Sequence, residues 1–336
     1  MFRSVLRPVA LAAALMAALA GCGSSSHTNT ARVNAAGSVD LSGITLTLGD
    51  QAHGLETLLD AAGALKGVPY KVTWAEFQGA APLFQAMQSG KVDTGTAADL
   101  PTLQAISGGL KIKVVAAATA NGSGTAILTQ PGSPVKTVAD LKGRTVVVSS
   151  AKGSIAEYLL AKALADAGLS YSDVHVEYLL PTAAQAAFNA KQIQIWATFG
   201  VYQDIAVEKG AQLLVDGRAG RTSGVGFISA AQSSIADPAR KAAIADFLRR
   251  LAQAYAWTTT HAAQYAQVFV QKNGVSPSVA RTVVSQGARA LQPVTPQVVT
   301  EVQAVSDLMN HIGSLPSDVR VAGTVDTSLF PHALSQ

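Results

Sequence analysis

The 336-residue chain has one cysteine, few charged residues and few aromatic residues. Because Cys22 is the only thiol, an internal disulfide framework and a cysteine-dependent catalytic centre in the body of the chain are excluded. Lysine and arginine stand singly or in pairs, so we expect no nucleic-acid partner. The six histidines show no metal-ligand spacing, and we therefore expect neither a metal nor a cofactor. We expect a monomer.

The N-terminal residues have the pattern of a secretory leader. Two arginines precede an apolar stretch at 9–20 that is too short to span a bilayer. Residues 19–22, Leu-Ala-Gly-Cys, resemble the bacterial lipobox, although an ordinary secretory signal that contains a cysteine is the alternative. We expect a lipoprotein signal peptide at 1–21, lipidation of Cys22 and a flexible tether at 22–40. The predicted location is the outer face of the cytoplasmic membrane, in the periplasm or cell envelope.

From Leu41 onward, short β-rich runs alternate with amphipathic helical segments, which is typical of an α/β fold. The pattern predicts strands at 44–48, 71–74, 94–95, 112–117, 145–148, 175–178, 193–198 and 212–215. Helices are predicted around 54–66, 80–89, 99–107, 153–167, 182–190 and 201–209. After about residue 226 we expect no further strands, only a long helix that starts at Asp237 and helices near 277–289 and 296–312.

Two segments rich in glycine, serine and threonine, 119–126 and 216–228, interrupt this alternation. We interpret them as two crossings between lobes, with a hinge beside a cleft. The predicted lobe 1 comprises 41–120 and 226–336, and the predicted lobe 2 comprises 121–225. Each lobe is expected to hold a mixed, mainly parallel sheet flanked by helices, with the C-terminal helices covering lobe 1.

Residues 149–154, Ser-Ser-Ala-Lys-Gly-Ser, join a valine-rich strand to a predicted helix. A helix start has unpartnered N–H groups and a partial positive charge, so it favours anions. Gly153 lets an oxyanion approach the backbone, Lys152 adds a charge, and the serines add hydroxyl donors. The alternative is an ordinary serine N-cap with the lysine in solvent. The spacing does not match a nucleotide phosphate-binding loop.

Similar loops follow the other predicted strands, and in open α/β sheets such loops form the ligand crevice. Asp99 is expected to cap its own helix, and Phe77 and Phe199 are expected to supply either an apolar wall or core packing. The full set of candidate ligand-binding residues is Gln51, Phe77, Gln78, Gly79, Ala98, Asp99, Asn121, Gly122, Ser123, Ser150, Lys152, Gly153, Ser154 and Phe199.

The order of landmarks along the chain carries a family resemblance. They include Trp74-Ala75-Glu76-Phe77, Asp93-Thr94-Gly95, Asp99-Leu100-Pro101, Asn121-Gly122-Ser123-Gly124, Lys152-Gly153-Ser154, Trp196-Ala197, Tyr202 and Trp257 with His261. This order resembles the periplasmic substrate-binding proteins of ABC importers for aliphatic sulfonates, taurine and nitrate. The resemblance implies a two-lobed periplasmic binding protein fold (type II) that closes on a small anion. It also implies delivery to a membrane permease with its ATPase subunit, and no catalysis.

The chain departs from that family in its pocket segment. Residues 194–202 read Gln-Ile-Trp-Ala-Thr-Phe-Gly-Val-Tyr where the family tends to read Asp-Ala-Trp-Ala-Val-Trp-Asp-Pro-Tyr. Glu157 stands where a histidine is common. We expect an aliphatic sulfonate or taurine as ligand, with nitrate or a thiamine-precursor-like heterocycle as alternatives. A ligand-sensing domain or an enzyme on the same fold is the alternative from another class.

Overall fold

The computed structural model describes residues 39–288 and 290–330. The predicted signal peptide, the lipidation site Cys22 and tether residues 22–38 lie outside the described residues. Ten helices occur within the described part: α1 Gly54–Ala62, α2 Ala80–Gln88, α3 Asp99–Ser107, α4 Ile155–Asp166, α5 Pro181–Asn189, α6 Gly200–Glu208, α7 Gln232–Ala236, α8 Pro238–Asn273, α9 Pro277–Gln286 and α10 Pro296–His311. None of these helices is both long enough and apolar enough to cross a membrane.

The described residues form eleven strands: β1 Thr45–Gln51, β2 Lys71–Phe77, β3 Thr94–Ala98, β4 Ile112–Thr119, β5 Thr125–Thr129, β6 Thr145–Ser149, β7 His175–Leu179, β8 Ile195–Phe199, β9 Gln212–Asp216, β10 Val225–Ala231 and β11 Leu291–Gln292. Sheet one has the order β11-β4-β10-β3-β1-β2, and sheet two has the order β7-β6-β8-β5-β9. The two mixed sheets flanked by helices match the predicted α/β fold class.

Three of these strands, β5, β10 and the short β11, were not predicted from the sequence, and all three run antiparallel to their neighbours. β10 pairs with β3 and β4 in sheet one, and β5 pairs with β8 and β9 in sheet two. The expectation that strands stop after about residue 226 is therefore wrong, because β10 extends to Ala231 in the middle of its sheet. The share of antiparallel pairs is also larger than the predicted mainly parallel sheets imply.

The chain passes from one sheet to the other twice, between β4 and β5 and again between β9 and β10. The two connections, residues 120–124 and 217–224, run side by side. The Ala120 N–H donates to the Gly224 carbonyl at 2.9 Å, and the Gly217 N–H donates to the Thr125 carbonyl at 2.9 Å. A Cβ on Gly122 or Gly224 would collide with backbone of the other connection, so glycine is required for this close approach.

The helices pack on both sheets and also bridge between them. α1 and α8 cover one face of sheet one, where Leu48, Leu59 and Phe247 are fully buried. α4 covers sheet two through Leu159 and Leu160. α10 packs on the other face of sheet one, and α9 packs against α6, which follows a strand of sheet two. The two sheets with their helices therefore enclose a cleft.

Candidate ligand-binding site

Two adjoining cavities lie in the cleft between the sheets. The first chamber has a volume of about 310 Å³ and is bordered by α2, α3 and the loop before α4. The second chamber has a volume of about 430 Å³ and is bordered by the ends of β1 and β2, the start of α6, both connections, α8 and α9. Gln51, Ala98, Ile155 and Phe199 line both chambers, and we call these four residues the junction.

The helices that begin at the cleft differ in how their first N–H groups are satisfied. α1 is capped from the preceding strand, because the Asp50 carboxylate accepts from the N–H groups of Leu55 at 3.0 Å and Glu56 at 2.8 Å. α6 begins after Phe199 with no side-chain cap and no acidic residue in its first turn, and α2 begins in the same way after Gly79. The starts of α2 and α6 therefore retain donors for an anion.

The start of α4 is occupied by the protein's own groups. The Gly153 N–H donates to the Glu157 carboxylate at 2.5 Å, and the Ser154 hydroxyl accepts from the Glu157 N–H at 3.3 Å. The Lys152 ammonium group donates to the Gly313 carbonyl at 3.0 Å. Ser154 thus acts as the ordinary N-cap that the sequence analysis gave as the alternative, while the Ser150 hydroxyl has no hydrogen bond to any described residue.

Ser150 has a backbone conformation that is rare for a residue with a side chain. Its φ of 79° lies in the left-handed region, and Ala52 and His53 at the end of β1 have φ values of 50° and 51°. Such residues cluster at ligand sites. Gly79 lies against Ser150, since a Cβ on Gly79 would be 2.5 Å from the Ser150 Oγ. The loops that follow β2 and β6, which belong to different sheets, are therefore in direct contact.

Ten of the fourteen candidate residues line the two chambers. Those in the first chamber are Gln51, Ala98, Ser150, Lys152, Gly153, Ser154 and Phe199. Those in the second chamber are Gln51, Phe77, Gln78, Ala98, Gly122 and Phe199. Neither chamber is lined by Gly79, Asp99, Asn121 or Ser123. The structure therefore brings most of the predicted loops together at one cleft.

The candidates outside the chambers have structural partners. Asp99 is fully buried, accepts from the Leu100 N–H at 2.6 Å, and accepts from the Ser223 hydroxyl. Burial raises the pKa of Asp99 to about 6. The hydrogen bonds from Ser223 and Leu100 favour the charged form and lower the pKa, but their effect is smaller than that of burial. The Asn121 side-chain oxygen accepts from the N–H and the hydroxyl of Ser123, which shapes the first connection.

Several lining residues were not predicted from the sequence. The Gln104 side-chain oxygen is buried without a partner, and Gln85 and Gln88 line the same first chamber. Tyr202, Tyr255 and Tyr265 line the second chamber. Glutamines on amphipathic helices usually face solvent, and tyrosines at helical spacing usually belong to the core, so neither group carries a distinctive signal in the sequence.

The charges of the two chambers differ in sign. Among the residues that the structure describes, Lys152 is the only charged residue that lines the first chamber, and Asp50 is the only one that lines the second. Burial raises the pKa of Asp50, and three backbone N–H donors oppose that effect. Within residues 39–288 and 290–330, no group of three histidine, aspartate, glutamate or cysteine side chains has a metal-binding arrangement.

Comparison with known proteins assigns the chain to a family. The sequence profile described as NMT1/THI5 like matches residues 71–264, which is more than half of the chain. The protein belongs to the NMT1/THI5-like family. A protein of Escherichia coli (strain K12) that is named for binding aliphatic sulfonates is 28% identical over 253 residues, covering 75% of this chain and 78% of that protein.

Solved structures agree with this family and show the fold. The alkanesulfonate-binding protein SsuA from Xanthomonas axonopodis pv. citri, bound to MOPS, has a TM-score of 0.77 and 29% identity, covering 84% of this chain and 98% of that chain. The periplasmic aliphatic sulphonate binding protein SsuA from Escherichia coli has a TM-score of 0.74 and 27% identity, covering 86% and 99%. The fold of this chain is thus the periplasmic binding protein fold of SsuA.

The same fold also occurs in a catalyst. The desulfurization enzyme DszB has a TM-score of 0.59 and 14% identity, covering 85% of this chain and 97% of that chain. At this identity the likeness shows the fold alone. The more similar proteins above are binding proteins.

Proposed function

We propose that this protein is the extracytoplasmic receptor of an ABC importer, capturing an organic sulfonate in the cleft and delivering it to a membrane permease with its ATPase subunit. The observation that carries the proposal is the pair of adjoining chambers at the ends of the strands, where loops from both sheets meet. Support also comes from the 29% identity to a MOPS-bound sulfonate-binding protein over 84% of this chain.

We further propose that the sulfonate head binds at the junction. Gln51 extends there from β1, with its amide nitrogen donating to the Thr96 carbonyl at 2.7 Å, and its side chain makes no other hydrogen bond within the described residues. Ser150 supplies a hydroxyl without a partner among the described residues nearby in the first chamber. The Gly200 N–H at the start of α6 donates to the Gly124 carbonyl at 2.7 Å, so the N–H groups of Val201 and Tyr202 are the donors that α6 supplies. Several charge-assisted hydrogen bonds in a closed cleft favour an oxyanion.

The proposed lobes are 41–120 with 226–336, and 121–225. Strand pairing supports this division, because the chain leaves sheet one after β4 and returns to it at β10. The paired connections at 120–124 and 217–224 are the proposed hinge. Contacts between the lobes, such as the Thr182 hydroxyl donating to the Gln78 side-chain oxygen at 2.6 Å, would then form on closure around the ligand.

The remaining parts of the proposal concern anchoring and chemistry. We propose that the mature protein is a monomer held at the outer face of the cytoplasmic membrane through a lipid on Cys22. We also propose that the protein binds its ligand without converting it, because among the described residues no hydroxyl group that lines the chambers is hydrogen-bonded to a histidine or a carboxylate. A nucleophile paired with a general base is the arrangement that an enzyme of this fold would need.

Calorimetric titration of the purified protein tests the proposal. We expect ethanesulfonate and taurine to bind with dissociation constants in the micromolar range, which corresponds to a binding free energy of roughly 8 kcal/mol. Ser150→Ala should weaken sulfonate binding about 5-fold through loss of one hydrogen bond to a charged group, whereas the exposed Ser172→Ala should not. Binding of a cationic pyrimidine or of nitrate, with no response to any sulfonate, would overturn the proposed ligand class.

A further inference from the structure

The second chamber is larger and more aromatic than a short sulfonate requires. It has a volume of about 430 Å³ beyond the first chamber, so a two-carbon tail bound at the junction would leave most of it to water. Six of the chain's 19 aromatic residues line it: Phe77, Phe199, Tyr202, Tyr255, Tyr265 and Phe269. This concentration of rings points to a ligand with a flat apolar body.

The tyrosines of this chamber differ from ordinary core tyrosines, whose hydroxyl groups are usually hydrogen-bonded. Tyr70 is the ordinary case, because its hydroxyl donates to the Asp246 carboxylate at 3.0 Å outside the cleft. The hydroxyl groups of Tyr202, Tyr255 and Tyr265 make no hydrogen bond to any described residue. Burial raises the pKa of Tyr255 to about 12, so this hydroxyl keeps its proton and can donate.

The charged residues of the second chamber limit the charge of the part of the ligand that binds there. No lysine, arginine or histidine lines it, and the buried Asp50 does. All three hydrogen bonds to Asp50 come from backbone N–H groups of Gln51, Leu55 and Glu56, and among the described residues no lysine or arginine forms an ion pair with it; the nearby His53 has only a smaller electrostatic effect. A second anionic group on the tail would be placed near this carboxylate without a counter-ion. The tail is therefore neutral.

We propose that the ligand is an arylsulfonate whose ring occupies the second chamber and carries a neutral hydrogen-bonding group that reaches Tyr255 and Tyr265. This inference rests on the proposed function, since it takes the sulfonate head to be at the junction. Tyr265 and Phe269 meet edge to face with centroids 6.3 Å apart, which gives the ring a fixed wall on α8. The contacts of the sulfonate group at the junction would be the same for every sulfonate, so the second chamber discriminates between sulfonates by the group attached to the sulfur.

Isothermal titration of the purified protein with matched ligands tests the inference. The ligands are ethanesulfonate, benzenesulfonate, 4-hydroxybenzenesulfonate and the dianionic 4-sulfobenzoate. We expect benzenesulfonate to bind at least 10-fold more tightly than ethanesulfonate, 4-hydroxybenzenesulfonate to bind most tightly, and 4-sulfobenzoate to bind at least 10-fold more weakly than benzenesulfonate. Tyr255→Phe should weaken 4-hydroxybenzenesulfonate about 3- to 10-fold and benzenesulfonate less than 2-fold, because it removes only a hydroxyl.

A control variant and the pattern of affinities distinguish a failure of this inference from a failure of the proposed function. Tyr70→Phe changes a tyrosine that lines neither chamber and whose hydroxyl donates to Asp246, and it should leave all four affinities unchanged. If ethanesulfonate binds as tightly as the aryl compounds, or if Tyr255→Phe and Tyr265→Phe both leave 4-hydroxybenzenesulfonate unaffected, the inference is overturned while the proposed function stands. If no sulfonate binds at all, the proposed function is itself overturned.

Discussion

The buried Glu157 carboxylate accepts a hydrogen bond of 2.5 Å from the backbone N–H of Gly153, four residues earlier in the chain. The same carboxylate accepts from the hydroxyl groups of Tyr171 and Ser314, each at 2.9 Å. Glu157 thus joins the start of α4 to the segment that follows α10. A carboxylate of the protein itself occupies the helix start at which the sequence predicted an external anion.

Replacing this carboxylate should change affinity and stability in opposite directions. We expect Glu157→Gln to lower the free energy of unfolding by about 1–2 kcal/mol, because all three donors lose a charged acceptor and at least one of them faces the amide NH2 group instead. Sulfonate affinity should rise about 3-fold, because a negative charge is removed beside the first chamber. Urea denaturation and calorimetry measure the two effects. Glu177→Gln, at an exposed site on β7, is the control for a change in net charge. A loss of affinity in Glu157→Gln would contradict the expected repulsion.

The contact between Gly79 and Ser150 offers a test of closure. A Cβ on Gly79 would lie 2.5 Å from the Ser150 Oγ and 3.2 Å from its Cβ. We expect Gly79→Ala to weaken sulfonate binding about 10-fold, equivalent to about 1.4 kcal/mol, by holding the two loops apart. In a Ser150→Gly background the same substitution should have no further effect, because the colliding atoms are gone. Calorimetry of the four proteins gives the coupling energy, and additive losses would show that the contact is not the cause.

Much of the fold follows from local signals. Asp237 caps α8, with its carboxylate accepting from the N–H groups of Ala239 at 2.9 Å and Arg240 at 3.0 Å, as the Asp-Pro pair predicted. β5 and β10 were missed because each begins next to a glycine-rich connection, and both are largely buried, so neither shows the alternation that marks a half-exposed strand. Their pairing partners are distant in the sequence.

The candidate site was predictable at the level of loops but not of individual hydrogen bonds. Strand ends meet at one edge of an α/β sheet, so Gln51, Ala98 and Phe199 were identifiable by position. The sequence could not indicate that Glu157 folds back onto Gly153, since a serine cap and an external anion use the same residue types. It also could not indicate that Tyr255 faces the cleft, because its helical spacing matches that of buried neighbours.

Gly224 and Gly220 allow the proposed hinge to be tested with a matched pair. Both have positive φ, 68° and 75°, but a Cβ on Gly224 would collide with the Ala120 carbonyl, while a Cβ on Gly220 would meet nothing within 4 Å. We expect Gly220→Ala to cost about 1 kcal/mol from backbone strain and Gly224→Ala to cost about 3 kcal/mol or more. Urea denaturation measures both. Equal costs would mean that the two connections are not held in close contact.

Asp99 should make stability depend on pH in a defined direction. Its pKa in the folded protein is raised to about 6 from an ordinary value of 3.8 because it is fully buried. The folded state therefore binds a proton more readily than the unfolded state, and stability is lost as the pH rises from about 4 to above 6. Asp99→Asn removes this titration, so the free energy of unfolding of the variant relative to the native protein should increase by about 2 kcal/mol between pH 4 and pH 7.5. Asp60→Asn, on an exposed part of α1, is the matched control for the change in net charge. Urea denaturation of the three proteins at each pH measures the difference, and a constant difference for Asp99→Asn across that range would mean that the carboxylate is charged throughout and that Ser223 and Leu100 stabilise its charged form fully.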